Sequence, residues 1–195
     1  MRCGKPVRSF QQEYCRDCEH THHYYDQGAA LWLHKDPVSQ SVYRFKFHNQ
    51  RHFVKYYAKE MSQHLGEIVS RWNVDLLIPV PLYPWKMRKR GYNQAGLLAR
   101  ELGNIWKIDV DENVVFRIRN TKPQKKLDPT KRKQNLNTAF KVRKTKKTES
   151  LSGKRVMIID DIYTTGSTVD AVAKVLKASE VEKVYYLTIS IGQGY

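Results

Sequence analysis

The chain has 195 residues, 41% of them hydrophobic, enough for one ordinary globular domain with a small appendage and too few for two full domains. Its longest apolar stretch, around Leu76 to Leu82, is far shorter than a membrane span, and the opening MRCGKPVRSF has no apolar signal core, so a cytoplasmic protein without membrane insertion is expected. Lys and Arg number 35 against 19 Asp and Glu, a net charge of +16, and an excess of that size points to a polyanionic partner.

The first two dozen residues are rich in Cys and His: Cys3, Cys15 and Cys18, then His20, His22 and His23. In a reducing compartment close cysteines more often mean metal than disulfide. Cys15-Arg-Asp-Cys18 is a CxxC pair, whereas Cys3 reads as the second cysteine of a pair whose first would lie before Met1. A structural zinc site takes four tetrahedral ligands. Either a longer chain supplies the fourth, or His20 or His22 does, or the three thiols hold no metal.

The next stretch, Gly28 to His34, reads as a strand, and Asp36-Pro37 then offers an N-cap followed by proline at the first helical position. Val38, Val42 and Phe45 recur at helical spacing. After a break at His48 to Arg51 a longer helix carries Val54, Tyr57, Ala58, Met61, Leu65, Ile68, Val69 and Trp72. His48, His52 and His64 have no thiol or acid at a ligand spacing and are read as surface or core histidines. Asp75 to Val80 is an apolar run of the kind a buried parallel strand needs. It leads into a loop, Pro81 to Asn93, that carries Lys86, Arg88, Lys89 and Arg90, and then a helix from about Gln94 to Trp106.

Val114 to Arg119 is a short strand candidate. The segment from Arg117 to Arg155 holds fifteen Lys and Arg against only Asp128 and Glu149, most of the net charge of the chain. It is a phosphate-binding surface, a lid over a site, or a solvated basic loop. Arg155 to Ile162 is another buried strand, followed by a helix from about Ser167 to Ala178 and a last strand from Lys183 to Ile191. Strands alternating with helices predict an α/β domain with a mostly parallel sheet.

The stretch most informative about chemistry runs from Val156 to Thr168, VMIIDDIYTTGST. An apolar strand delivers Asp160 and Asp161 to the carboxyl edge of a parallel sheet, where open α/β folds bind ligands. Those acids can accept hydrogen bonds from vicinal ribose hydroxyls. A turn of Thr164, Thr165, Gly166, Ser167 and Thr168 then opens a helix, so amides and hydroxyls converge at its positive end, a pocket for a phosphate monoester. Gly166 permits a backbone conformation and a close approach that a β-carbon would obstruct.

This stretch resembles the signature for 5-phosphoribosyl-1-pyrophosphate (PRPP) of the type I phosphoribosyltransferases. The resemblance implies that Asp160 and Asp161 hold the ribose and serve as the catalytic acids, that Tyr163 to Thr168 hold the 5-phosphate, and that Val80, Pro81 and Leu82 form the loop gripping the pyrophosphate, with Mg2+ accompanying PRPP. Pro79-Val-Pro-Leu, Arg88-Lys-Arg-Gly-Tyr-Asn-Gln-Ala95, Gln124, Leu127, Arg132, Asn135, Ala139-Phe140, Lys46-Phe47 and the cysteine head together resemble the ComF family of competence proteins.

That second resemblance covers nearly the whole chain. It implies residues 1–24 as a partial zinc knuckle, with Cys3, Cys15 and Cys18 as zinc ligands, and residues 25–195 as a phosphoribosyltransferase-like domain. It further implies a role in natural transformation, handling single-stranded DNA beside a helicase-like competence protein. Lys86, Arg88, Lys89, Arg90, Lys125, Lys126, Lys131, Arg132 and Lys133 are the expected DNA phosphate contacts. The alternative is a working transferase acting on a nucleobase or related small molecule.

Overall fold

The computed structural model describes residues 2–7, 9, 11–118, 139–143 and 151–193. Five strands, β1 (Gln27–Leu33), β2 (Leu76–Pro79), β3 (Asp109–Val110), β6 (Arg155–Tyr163) and β7 (Lys183–Ile191), form a sheet in the order β1-β7-β6-β2-β3. All four of its pairings are parallel. Two further strands, β4 (Val115–Arg117) and β5 (Phe140–Val142), pair antiparallel in a separate ribbon.

The central strands read as continuous apolar runs because both faces of the sheet are covered. On one face Leu77, Met157, Ile159, Tyr185 and Leu187 pack against α2 (Val38–Phe47), α3 (Phe53–Trp72) and α5 (Gln94–Trp106). On the other, Ile78, Val156, Ile158 and Tyr186 pack against α6 (Ser167–Lys177), the β4-β5 ribbon and the cysteine head with its short helix α1 (Arg16–His20). Chain reversals fall where the sequence allows a left-handed residue: Asn73 closes α3 with φ 48° and Lys107 closes α5 with φ 57°.

The cysteine head is packed into the same cluster as the sheet. Cys3 and Cys15 are buried there beside Tyr25, Tyr163 and Tyr186. Gly28 N–H donates to the Arg2 carbonyl at 2.8 Å, and the Tyr186 hydroxyl donates to the Cys3 carbonyl at 2.6 Å. Gly28 is required for this approach, since a β-carbon there would sit 1.9 Å from the Tyr186 ring.

The expected strands and helices are found, with differences at the short elements. Asp36 does not occupy the N-cap; Pro37 does, and the Asp36 carboxylate instead accepts from the side chains of Ser39 and Gln40. The segment Pro81 to Asn93, expected as a loop, contains α4 (Pro84–Arg90). Pro84 lies at its first positions and Gly91, φ 78°, ends it, but none of its side chains is buried, so it has no apolar stripe to announce it. β3 and β5 span two and three residues and carry too little pattern to be read. Among the described residues no helix is long and apolar enough to cross a membrane.

Candidate functional site

Adjacent residues of a regular strand point to opposite faces of a sheet, and β6 obeys this up to Ile159. Val156 and Ile158 pack on the α6 side, Met157 and Ile159 on the α3 side. Beyond the acid pair the alternation is inverted. Ile162 packs on the α3 side and Tyr163 on the α6 side, while the pairing with β7 steps from Asp160↔Thr188 to Ile162↔Ser190. Asp160 and Asp161, lying between the two stretches, both line one cleft of about 920 Å³ at the carboxyl end of the sheet.

The turn after β6 opens α6. Gly166 has φ 75°, and a β-carbon on it would stand 2.3 Å from the Tyr163 hydroxyl, so both backbone and packing demand glycine. Thr165 and Ser167 share a hydroxyl hydrogen bond of 2.8 Å. The first-turn amides have no carbonyl one turn back to bond, and among the described residues those of Thr165 to Thr168 find no acceptor. Asp170, the acid of this first turn, is turned away: its carboxylate takes His23 Nδ1 at 2.8 Å and the Tyr24 amide at 2.9 Å. The positive end of α6 therefore faces outward, and Thr164 and Thr168 join it to the cleft.

Opposite the acids stand cations from three elements. Lys46 on α2 reaches Asp161 Oδ1 at 2.7 Å, both groups mostly buried. Lys86 and Arg90, one turn apart on α4, and Arg117 on β4 line the same cleft. The remaining basic residues of α4, Arg88 and Lys89, are exposed. Helix formation thus divides the expected DNA-contacting run in two, with Lys86 and Arg90 facing the cleft and Arg88 and Lys89 facing outward. Trp85 is exposed on α4 with the Lys89 ammonium 5.4 Å above its ring. Lys125, Lys126, Lys131, Arg132 and Lys133 lie outside the described residues.

The model of the phosphoribosyl transferase domain family matches residues 49–190. Competence protein F of Haemophilus influenzae is 31% identical over 185 residues, spanning 93% of this chain and 80% of that protein. The chain is a ComF-family protein with a phosphoribosyl transferase domain. Competence protein ComFC of Bacillus subtilis is 27% identical, spanning 89% of the chain and 69% of that protein. DNA utilization protein YhgH of Salmonella typhimurium is 30% identical over 72% of the chain and 61% of its own length.

Within this ComF-family cleft two expected contacts change character. Tyr163 is 1% exposed; its hydroxyl bonds Tyr25 at 2.6 Å and its ring stacks on Tyr186 at 4.7 Å, so its side chain supports the turn from the core. Of the expected pyrophosphate loop, Val80 N–H is already bonded to the Ile159 carbonyl at 2.9 Å, and Pro81 has no N–H at all. Leu82 alone keeps an amide for a ligand.

Sequence reasoning did not single out His34, Tyr43, His48 or Arg117 as site residues, and had Lys46 only as part of the family pattern; all five line the cleft. They come from α2, its flanks and β4, and only the sheet topology brings them to β6.

The thiols of Cys3, Cys15 and Cys18 lie within 4.8 Å of one another, Cys3 and Cys15 at 3.3 Å. Three sulfurs at that spacing fit around one thiophilic divalent ion. His20 and His22 are exposed and do not join them. Magnesium fits the acid pair less well. It takes oxygen ligands in an octahedral shell, whereas one Asp161 oxygen is on Lys46, Asp160 Oδ1 accepts the Asp161 amide at 2.8 Å, and five Lys and Arg side chains line the cleft.

Burial, and next the adjacent Asp161 carboxylate, raise the Asp160 carboxyl from its usual 3.8 to about 7, against the opposing pull of Lys46 and Arg117. A carboxyl raised on folding stabilises the protein most below its unfolded value, and that contribution is lost as pH rises through the folded value. Between pH 4 and pH 7 wild type therefore loses stability relative to Asp160→Asn. Urea midpoints of the two proteins across this range check it; parallel profiles would contradict the assignment.

Proposed function

We propose that the chain binds PRPP or a closely related phosphorylated pentose in this cleft and serves DNA uptake during competence. The observation that carries the reading is the placement of two carboxyl groups on the cleft and of a set of unpartnered helix-entrance amides beside it, joined to it through Thr164 and Thr168. A phosphate monoester accepts from the Thr165 to Thr168 amides and from the Thr and Ser hydroxyls. The ribose hydroxyls donate to the Asp160 and Asp161 oxygens that have no hydrogen bond among the described residues. The anomeric end then points toward the basic side of the cleft.

The names of the relatives, competence protein and DNA utilization protein, support the cellular role. Single-stranded DNA is the polyanion that suits the outer face of α4, where Arg88 and Lys89 offer phosphate contacts and Trp85 an exposed ring for a base. This role sets the chain in the cytoplasm, beside a helicase-like competence protein. A structural zinc ion held by Cys3, Cys15 and Cys18 would stiffen the head that packs beneath β1 and β7.

A second reading, transfer of the ribosyl group to a nucleobase or related planar acceptor, is favoured by Tyr43 and Phe47. Both rings are more than half exposed, 4.9 Å apart, and line the cleft. In such a transfer the C1–O bond to pyrophosphate breaks with the electron pair leaving on pyrophosphate. The acceptor forms the new bond to C1 and releases its proton to solvent. The cleft cations stabilise the departing charge.

Calorimetric titration of the full chain with PRPP in magnesium-containing buffer tests the primary reading. Binding to wild type and a loss of about tenfold or more in Asp160→Ala/Asp161→Ala is expected; no heat with wild type would refute the reading. For the DNA surface, Arg88→Glu/Lys89→Glu weakens single-stranded DNA binding and lowers the salt slope by about 1.4, at roughly 0.7 for each of two phosphate contacts. A slope equal to that of wild type would exclude α4 from the DNA surface.

A further inference from the structure

Phosphoryl and pyrophosphoryl groups are commonly neutralised by a bound divalent cation, which supplies its charges where the leaving group gathers electrons. This cleft is furnished differently. Arg44, Lys46, Lys86, Arg90 and Arg117 line it, against two acids among the described residues, Asp160 and Asp161. One of those acids is already matched by the Lys46 ammonium at 2.7 Å. The other cations are held close enough to oppose one another. Burial first, and then Arg117, Arg90 and Lys46, lower the Lys86 ammonium from its ordinary value, and burial does the same to Arg90 and Arg117. Such a group of cations is relieved by an anion entering between them.

The entrance of α5 points the same way. Gln94 is 1% exposed and lines the cleft; its Oε1 accepts from Arg90 at 2.5 Å, while its Nε2 is buried with no hydrogen-bond partner among the described residues. A buried donor left unmatched is costly, and an anionic oxygen at the cleft would satisfy it. No acid occupies the first turn of α5 to oppose an anion there. In the loop before α4 the Val80 amide is spent on Ile159 and Pro81 has none, which leaves that of Leu82.

We propose that Lys86, Arg90 and Gln94 hold the diphosphate end of the sugar phosphate, with Lys46 as the built-in counter-cation at Asp161, so that binding needs no divalent metal ion. The inference rests on the reading of the cleft as a phosphorylated-pentose site and adds how its second anion is neutralised. The five cationic side chains come from α2, α4 and β4, and folding gathers them before any ligand arrives, which is the preorganisation that favours binding.

The test is calorimetric titration of the full chain with PRPP in two buffers. One contains millimolar magnesium; the other, together with the ligand, is freed of divalent ions over a chelating resin, so that the thiol cluster meets no chelator. Affinities within about threefold of each other are expected. Binding only with magnesium would overturn the inference while leaving the sugar phosphate reading in place; binding in neither buffer would overturn both.

A second arm uses Lys86→Met/Arg90→Met, with ribose 5-phosphate as the control for an intact fold. PRPP affinity in the metal-free buffer is expected to fall by about tenfold or more while ribose 5-phosphate affinity is retained. Unchanged PRPP affinity, or equal losses for the two ligands, would remove the assignment of the diphosphate to α4.

Discussion

Asp160 and Asp161, consecutive residues of β6, both reach one cleft, and past them the strand's apolar residues have exchanged faces. The rest of the site follows from that switch. Because Tyr163 returns to the α6 side of the sheet, its ring stacks on Tyr186 and its hydroxyl comes up beneath Gly166. The turn is thereby fixed in a conformation open only to a residue without a β-carbon. The same turn aims the first amides of α6 outward, next to the acids. The end of β6 and the turn after it thus set carboxyl oxygens and unpartnered amides side by side.

The basic residues then form two surfaces with different environments. Inside the cleft, Lys46, Lys86, Arg90 and Arg117 are partly buried near the two carboxyl groups. Outside, Arg88 and Lys89 are solvated and screened by salt, as suits contact with a nucleic acid backbone. Helix α4 makes the division, since a helical repeat puts Lys86 and Arg90 on one side and the residues between them on the other.

The cysteine head is coupled to this arrangement through the core rather than through a linker. Its carbonyl at Cys3 receives the Tyr186 hydroxyl, and His23 with the Tyr24 amide binds Asp170 on α6. The head is thus tied directly to the helix whose entrance carries the unpartnered amides. Asp170 is also withdrawn from the outward end of α6, where its charge would oppose a phosphate.

Much of the sheet was legible in the sequence because its central strands are continuous apolar runs, and Val156 to Thr168 displayed its chemistry in one contiguous stretch. What could not be read was placed by topology or by very short elements. Lys46 meets Asp161 across more than a hundred residues of chain. Arg117 reaches the cleft from a three-residue strand, and α4 lacks any buried side chain.

In the expected pyrophosphate loop the sheet takes the Val80 amide and Pro81 has none, which a contiguous sequence does not display. The central claim, a phosphate seated on the entrance of α6, is tested most directly by amide NMR of the 15N-labelled full chain titrated with ribose 5-phosphate. The largest shifts are expected at Thr165, Gly166, Ser167 and Thr168. Silent amides there, with shifts gathered on the outer face of α4, would contradict it.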